Sequence, residues 1–357
     1  MGGRYLPPLF SREINNMAID LLQIKPHQVS RDMRGYTVFL YGEPKSGKTT
    51  TATKFPRHLL LAFEKGYNAI PGAMAQPINS WAEFRQVLRQ LKKPETKEVY
   101  ETVIIDTVDI AYSYCEKYIC ANAERGDGGF GVDSIGDIPY GKGYSLLAQE
   151  FDESLRTIAQ LDYGLVMISH ATDKVFKNEE GDEYNRIVPT LDKRAKNIVS
   201  RMVDLYGYSR IVVDDKGNDV TKLFLRGTNR YEAGSRFKYT PDYIDFNYDS
   251  LVNAIGEAID KQAKEDGKEL FTDKRQNLYT DTTKELDFDL LKEEFNSLIT
   301  NITSIAGPEK MDAKYAAIIT QIIEKYLGKG RKVNDMAREQ TEALSLIVAD
   351  LKELEIK

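Results

Sequence analysis

A glycine-rich segment suited to holding phosphate groups occupies residues 42–49, and its residues match G-x-x-x-x-G-K-[ST] in full. Glycines allow the backbone to wrap around phosphates so that successive N–H groups point inward. Lys48 is expected to reach the β- and γ-phosphates, and Thr49 is expected to ligate Mg²⁺. The apolar residues 38–41 precede the segment, and the helix-compatible residues 50–55 follow it. The sequence therefore predicts a site for ATP (or GTP) and Mg²⁺ that is built from Gly42, Glu43, Pro44, Lys45, Ser46, Gly47, Lys48, Thr49 and Thr50.

A second metal ligand is expected at the end of another apolar run. Residues 103–105 are Val-Ile-Ile and lead directly into Asp106, which is the Walker B pattern. Asp106 is therefore expected to hold Mg²⁺ together with Thr49, directly or through a water molecule. Asp109 is a rival, because it lies only three residues further along the chain.

The general base must come from a different part of the chain. Many helicase-type ATPases have a glutamate directly after the Walker B aspartate, whereas this chain has Thr107. Glu64 follows the apolar residues 59–63, at the end of a predicted strand, where it could orient an attacking water. The prediction is that Glu64 and Lys48 carry catalysis. The alternative is that Glu64 is a solvated loop residue beside Lys65.

The order of these segments resembles that in the RecA/Rad51 family of recombination ATPases. The chain looks more closely like phage-encoded, RecA-like NTP-binding proteins, some of which act as single-strand annealing recombinases. The resemblance covers about residues 35–250, and its carrying segments are residues 42–50, 60–66, 103–107, 139–144, 167–170 and 226–237. The phosphate segment is highly specific, and the others are individually loose. The resemblance implies a RecA-like fold, assembly into a ring or filament, and ATP hydrolysis coupled to single-stranded DNA.

The resemblance also implies a phosphate sensor and a residue that acts on a neighbouring subunit. Ser169 and His170 end a predicted strand, where RecA-like proteins place a polar side chain, often Gln, that signals to a DNA-binding loop. A strand-end histidine without that role is the alternative. Arg226, Arg230 and Arg236 are candidates to touch the γ-phosphate of a neighbouring subunit. Each could equally be a surface or salt-bridged arginine.

Two glycine-containing segments, residues 122–144 and 172–189, stand where DNA-binding loops are expected. Aromatic side chains there could stack on bases, and basic side chains could neutralise phosphates. Several acidic residues dilute the charge of both segments, so flexible surface loops are the alternative. The candidate DNA contacts are Tyr140, Lys142 and Tyr144 in the first segment and Lys174, Lys177 and Arg186 in the second.

The composition is that of a soluble globular protein, with 41% hydrophobic and 29% charged residues among 357 and a net charge of -6. Residues 186–240 carry 12 Lys/Arg against 6 Asp/Glu, whereas residues 241–357 carry 16 against 24. This asymmetry is compatible with DNA binding by one face. The 2 cysteines cannot form a disulfide framework, the 3 histidines are too scattered for a metal cluster, and no apolar run has transmembrane length. We expect no membrane association and a location in the cytoplasm of a phage-infected bacterial cell.

Four zones follow one another along the chain. Residues 1–34 form a lead-in with a possible short helix at residues 14–22. Residues 35–255 alternate strand-like runs (37–41, 59–63, 102–106 and 164–169) with amphipathic helices, and a hairpin follows at 206–213 and 220–226. Residues 256–287 are predicted to be a charged linker, and residues 288–357 carry three helical apolar stripes. The predicted fold class is α/β, with a RecA-like P-loop NTPase core, a mostly parallel sheet and a C-terminal helical module.

The favoured function is an ATPase of phage DNA recombination, single-strand annealing or repair. One alternative is a helicase or helicase loader of DNA replication. Another is a nucleotide-gated scaffold that hydrolyses little and binds a phage recombination or replication protein through residues 288–357. A small-molecule kinase ranks last, because no arginine-rich lid is evident.

Overall fold

The computed structural model describes residues 24–125, 128–275, 287–306 and 315–352. The chain forms two compact units, one of residues 26–279 and one that contains residues 280–357 together with residues 1–25. The possible helix at residues 14–22 lies outside the described residues.

The larger unit is built on a sheet whose strand order brings together the ends of four sequence-distant strands. The strands are β1 Val29–Ser30, β2 Thr37–Gly42, β3 His58–Ala62, β4 Ala75–Pro77, β5 Thr102–Asp106, β6 Gly164–Lys177, β7 Glu183–Pro189, β8 Leu205–Val213, β9 Asp219–Phe224, β10 Gly234–Ser235, β11 Tyr243–Asp245 and β12 Phe271–Thr272. The sheet order is β11-β9-β8-β2-β6-β5-β3-β4, with β10 added to β8 and β7 added to β6. The strands β2, β3, β4, β5, β6 and β8 pair in parallel, and β7, β9, β10 and β11 are antiparallel additions.

Alternation along the central strands divides the apolar side chains between two cores. In β2, Phe39 and Tyr41 point to one face, and Val38 and Leu40 point to the other. Both faces are covered by helices, which is why the central strands are apolar throughout. The helices of this unit are α1 Lys48–Ala52, α2 Trp81–Leu91, α3 Pro94–Val99, α4 Val108–Asn122, α5 Lys142–Gln160, α6 Lys193–Met202 and α7 Tyr248–Asp266. Helices α2, α4, α5 and α6 supply the core on the Phe39 face, and α1 and α7 supply the core on the other face. This arrangement confirms the predicted α/β class with a mostly parallel sheet.

Parallel pairing aligns the strand ends that carry polar residues. Gly42 at the end of β2 is level with His170 in β6, and Asp106 at the end of β5 is level with Ile168 in β6 and Ala62 in β3. The residues that follow β2, β3 and β5 therefore emerge at the same edge of the sheet.

Two predicted segments have more regular structure than the sequence suggested. Strand β6 does not end near residue 169; it continues to Lys177 and forms an antiparallel hairpin with β7. The segment 172–189, predicted as a mobile loop, is therefore a β-hairpin. The hairpin is largely exposed, so residues 172–189 contain no apolar run from which its strands could be predicted. The glycine and the charged residues of the segment favoured a loop instead.

The predicted start of the charged linker at residue 256 is also wrong. Helix α7 runs through residue 266, because its apolar side chains Ala258, Ile259 and Ala263 are buried against the sheet. Beyond it, β12 pairs in parallel with β1, so residues from the predicted lead-in and linker belong to the larger unit. Residues 276–286 of the predicted linker lie outside the described residues.

The smaller unit is helical, as predicted for the C-terminal module. Its described helices are α8 Phe288–Ala306, α9 Ala316–Leu327 and α10 Thr341–Lys352. They share an apolar core of their own, in which Leu291, Ile319 and Leu344 are buried. In the described parts of both units, no helix combines the length and the apolar character that a membrane span requires.

Candidate active site

The phosphate-binding segment begins where β2 touches β8. Gly42 lies so close to Ser209 of β8 that a Cβ on residue 42 would be 2.0 Å from the Ser209 Oγ. A side chain is therefore excluded at residue 42. Gly47 has a φ of +87°, which places it in the left-handed region that favours glycine. Gly42 thus allows the close contact between β2 and β8, and Gly47 allows the left-handed backbone conformation of the loop.

Ser209 also supports the loop from behind. Its hydroxyl oxygen lies 2.8 Å from the hydroxyl oxygen of Ser46, and both side chains are buried. The Ser209 hydroxyl also donates to the carbonyl oxygen of Tyr41 at 3.3 Å. Strand β8 is more than 150 residues away in sequence, as the separation of 163 between Ser46 and Ser209 shows, so sequence patterns could not identify this contact.

Lys48 is nearly buried, with 5% of its surface exposed. Its ammonium group donates to the carbonyl oxygens of Gly42 at 3.0 Å and Glu43 at 2.7 Å. Burial lowers the pKa of Lys48 to about 8, and the negative charges of Asp106 and Glu64 oppose that shift. The Lys48 ammonium is buried and its hydrogen-bond partners are neutral carbonyl oxygens, so no anion among the described residues balances its charge by direct contact. It is therefore well suited to bind an anionic group.

The predicted metal ligands lie side by side. The Thr49 hydroxyl donates to Asp106 Oδ2 at 2.7 Å. Burial raises the pKa of Asp106, the Thr49 hydrogen bond opposes this, and the nearby Glu64 adds to it. One hydroxyl and one carboxylate are hard oxygen donors of the kind that Mg²⁺ binds when phosphates complete its ligands, so the residues fit this ion. Within the described ranges, no group of three or more His, Cys, Asp or Glu residues is arranged to hold a metal ion.

The rival carboxylate, Asp109, belongs to a different set of contacts. Its Oδ1 accepts hydrogen bonds from Ser169 Oγ at 3.1 Å and from Thr190 Oγ1 at 2.8 Å. Burial raises the pKa of Asp109, and these two hydrogen bonds oppose the shift. Asp106, and not Asp109, therefore lies against Thr49.

Glu64 reaches the same edge of the sheet through the chain that follows β3. The backbone N–H groups of Phe63 and Glu64 both donate to the carbonyl oxygen of Asp106. The Glu64 Oε1 accepts from the hydroxyl of Thr107 at 3.1 Å and lies 3.3 Å from Nε2 of His170. Glu64 is thus held between β5 and β6. The contact partners Thr107 and His170 give it a defined position that a solvated loop residue would lack.

These groups share one cavity with a volume of about 420 Å³, within the usual range for small-molecule sites. Its walls come from the phosphate segment, from the chain after β3 and from the ends of β5 and β6. The apolar wall formed by Ala69 and Ile70, and the contribution of Ile168 in β6, were not predicted from the sequence. The lining residues are Pro44, Lys45, Gly47, Lys48, Thr49, Thr50, Glu64, Gly66, Ala69, Ile70, Asp106, Ile168 and His170.

The three candidate arginines have different surroundings. The guanidinium of Arg226 donates to the carbonyl oxygens of Thr240 and Lys238. The guanidinium of Arg236 pairs with Asp204 at 2.9 Å and donates to the carbonyl oxygen of Arg201. Arg230 is exposed, and its guanidinium makes no hydrogen bond within the described part of the chain. None of the three lines the cavity.

The candidate DNA contacts lie at the start of α5 and on the β6–β7 hairpin. Tyr140, which precedes α5, is 94% exposed. Lys142 and Tyr144 are in the first turn of α5 and not in a loop, and the guanidinium of Arg194 covers the ring of Tyr144 at 4.1 Å. In the β6–β7 hairpin, Lys174 pairs with Arg186.

The hairpin register separates the remaining side chains by face. Phe176 pairs with Tyr184, two positions from the Lys174–Arg186 pair, so these four side chains share one face. The two aromatic rings lie 6.0 Å apart. Lys177 is on the opposite face and forms an ion pair with Glu183 at 3.3 Å. Lys177 is thereby separated from the other basic candidates of this hairpin.

The chain is similar to one domain family and to two individual proteins. A family model described as an AAA domain matches residues 34–237. Over 348 residues the chain is 32% identical to the SPbeta prophage-derived uncharacterized protein YorG of Bacillus subtilis strain 168, and the match covers 95% of this chain and 99% of that protein. Among solved structures, the flagellar accessory protein FlaH of Methanocaldococcus jannaschii is 10% identical with a TM-score of 0.31, and the match covers 60% of this chain and 85% of FlaH. With a complete phosphate-binding loop and a family match over more than half of its length, the chain belongs to the AAA-domain family of P-loop NTPases.

Proposed function

We propose that this protein is a magnesium-dependent ATPase that acts on single-stranded DNA in phage recombination, annealing or repair. The observation that carries the ATPase part is the position of Glu64. Its carboxylate is held by Thr107 and His170 in the same cavity as Lys48, Thr49 and Asp106. A cavity that combines a phosphate-binding cation, two metal-binding oxygens and a carboxylate base has the parts that phosphoryl transfer to water requires.

In the proposed mechanism, each side chain performs one task. Lys48 exchanges its carbonyl partners for the β- and γ-phosphates, and Thr49 and Asp106 would hold Mg²⁺. When bound, this ion would neutralise charge on the phosphates. Glu64 orients the attacking water and accepts its proton. His170 acts as the sensor of the site. Its ring nitrogen lies 3.3 Å from the Glu64 carboxylate, so it loses this contact when Glu64 turns toward the water.

The DNA part of the proposal rests on the β6–β7 hairpin. This hairpin continues directly from His170, and one of its faces carries Lys174 and Arg186 beside Phe176 and Tyr184. Paired cations and aromatic rings on one face suit a single strand, whose phosphates need neutralising and whose bases can stack. The exposed Tyr140 and the neighbouring Lys142 and Tyr144 form a second candidate contact. The similarity to a prophage-derived protein supports a phage context.

Assembly of identical subunits into a ring or filament is the remaining part of the proposal. Arg230 is the favoured arginine to act on a neighbouring subunit, because the guanidinium groups of Arg226 and Arg236 are already engaged within their own chain. The helices α8, α9 and α10 are proposed to bind a phage recombination or replication protein. The protein would act in the cytoplasm of the infected host.

A comparison of hydrolysis rates with and without single-stranded DNA tests this function. The wild-type protein is expected to hydrolyse ATP with Mg²⁺ and to accelerate when single-stranded DNA is added. Lys48→Ala is expected to reduce kcat/KM by at least about 100-fold, because it removes the cation that meets the phosphates. Lys216→Ala, a change at an exposed turn, is the matched control.

Three outcomes would contradict the proposal in different ways. Nucleotide binding without turnover would favour the nucleotide-gated scaffold. Turnover without any response to DNA would remove the DNA part alone. Unwinding of duplex DNA by the isolated protein would favour a helicase.

A further inference from the structure

Asp109 connects the helix that follows the metal-binding strand to both ends of the β6–β7 hairpin. It lies in the first turn of α4, three residues after Asp106. A single oxygen, Oδ1, accepts from the hydroxyls of Ser169 at 3.1 Å and Thr190 at 2.8 Å. The sequence presented Asp109 only as a rival metal ligand, and the proposed hydrolysis does not use it.

The two hydroxyls belong to the two strands of the hairpin at its base. Ser169 is in β6, one residue before His170, and is fully buried. Thr190 directly follows the last residue of β7, and its backbone N–H donates to the carbonyl oxygen of His170 at 2.9 Å. One carboxylate oxygen therefore holds the outgoing and the returning strand at the level of the nucleotide site.

The same region of the structure also holds the proposed base. Glu64 Oε1 accepts from Thr107, which directly precedes α4, and lies beside His170 of β6. The proposed mechanism turns Glu64 toward the attacking water, which would break its contacts to Thr107 and His170. The Asp109 hydrogen bonds to Ser169 and Thr190 do not involve Glu64, so they would persist beside the apolar packing of α4 against β6.

We propose that Asp109 is a positioning residue that makes the β6–β7 hairpin respond to the nucleotide held beside Glu64. This inference rests on the proposed function, because it requires that nucleotide binds in the cavity. It goes further by naming the group through which the site controls the hairpin. Strand β6 is also held in the sheet by β2 and β5. The Asp109 hydrogen bonds add a link from the first turn of α4 to both strands at the base of the hairpin, so a shift of that turn acts on both strands.

The hydrogen bonds, and not the charge, carry this role. Both donors use the same oxygen of Asp109, so an amide oxygen at that position can accept both hydrogen bonds. Asp109→Asn is therefore expected to retain the coupling, whereas Asp109→Ala is expected to lose it. A residue with only a general stabilising role would not separate these two variants in a nucleotide-dependent measurement.

Hydrogen–deuterium exchange of the peptides covering residues 172–189 tests the inference in the full-length protein. The probe is Mg²⁺ with a non-hydrolysable ATP analogue, whose affinity is measured separately for every variant. In the wild type, the analogue is expected to change hairpin exchange by at least about fivefold, the lower end of ordinary coupling between sites. Asp109→Ala should bind the analogue with unchanged affinity and lose this response, and Asp109→Asn should keep both. Asp215→Ala, at an exposed turn, serves as the matched control.

The possible results distinguish a failure of the proposed function from a failure of the inference about Asp109. If the wild type does not bind the analogue, the proposed function fails and the inference fails with it. If the analogue binds and Asp109→Ala still shows the full hairpin response, or the wild type shows none, only the inference is overturned. Loss of the response in Asp109→Asn would overturn the role assigned to the hydrogen bonds. Thr190→Val removes one donor with little change of shape, so it provides the same test if Asp109→Ala does not fold, with a smaller expected loss.

Discussion

The nucleotide end of the sheet and the β6–β7 hairpin meet at His170, yet they present their polar side chains in opposite ways. At the nucleotide end, Lys48 and Asp106 are almost completely buried, and each has a hydrogen-bond partner. Along the hairpin, Lys174 and Val175 are exposed, and the tip residues bond mainly with one another. The polar side chains of the nucleotide end are thus held in place by hydrogen bonds within the protein, whereas the hairpin presents an exposed surface.

This contrast indicates different sources of specificity. Buried groups in fixed positions avoid reorganisation when charge develops, which suits chemistry. A hairpin face with the exposed Lys174 beside the half-buried Phe176, Tyr184 and Arg186 suits a flexible polymer that is bound through stacking and charge. Changes at the nucleotide end are therefore expected to alter rates strongly, whereas changes on the hairpin are expected to alter DNA affinity.

The largest expected effect is on turnover at the nucleotide end. Glu64→Gln keeps the shape of the side chain but removes the base, so kcat should fall by about 100-fold or more, as for other general bases. Binding of a fluorescent ATP analogue should be retained, because Lys48 and Thr49 are unchanged. The control Glu257→Gln alters an exposed residue of α7 and should have no effect. Unchanged hydrolysis in Glu64→Gln would show that another group is the base.

The hairpin should show the reverse pattern. Replacing Phe176 and Tyr184 together by Ala should weaken binding to single-stranded DNA by about 1–3 kcal/mol for each base that stacks there. ATP affinity should remain unchanged. Val175→Ala, on the opposite face of the same strand, is the matched control, and it should leave DNA affinity nearly as in the wild type. Equal losses from both faces would indicate that the face assignment is wrong.

A smaller effect is expected from pH at the nucleotide end. Burial lowers the pKa of Lys48 to about 8 from 10.5, so the free protein keeps this charge below pH 8 and loses it above. Above that pH, binding a triphosphate requires uptake of a proton, and the apparent Kd should rise by up to about tenfold per pH unit. Titration of a non-hydrolysable analogue between pH 7 and pH 9.5 measures this directly. A flat profile would show that Lys48 remains charged without the nucleotide.

The elements around the phosphate-binding segment could be predicted because local patterns specify them. The apolar strand β2 ends at Gly42, the first residue of the phosphate-binding segment, and β5 ends at Asp106, so the structure has both strands nearly where the sequence placed them. The β6–β7 hairpin was not recognised, because its exposed strands have no apolar periodicity. The second half of α7 was assigned to a linker, because charged residues on its outer face conceal the buried Ala258 and Ile259.

The same distinction holds inside the site. Lys48 and Thr49 were assigned from the spacing of the phosphate-binding segment and Asp106 from the apolar run that precedes it, and the structure brings all three to one cavity. Thr107 as a donor to Glu64, and Ser209 as the support behind Ser46, were not predicted. Both contacts join strands that are adjacent in the sheet but distant in the chain.

By itself, the sequence determined the phosphate-binding segment, because eight consecutive residues specify both the loop and its ligand chemistry. It also determined the α/β class and the helical C-terminal module, since periodicity is a local property. Only the tertiary structure decided which of two nearby aspartates meets Thr49 and which one ties the hairpin. The physical reason is the parallel register of β3, β5, β6 and β2, which sets the neighbours of each strand end and is a non-local property of the chain.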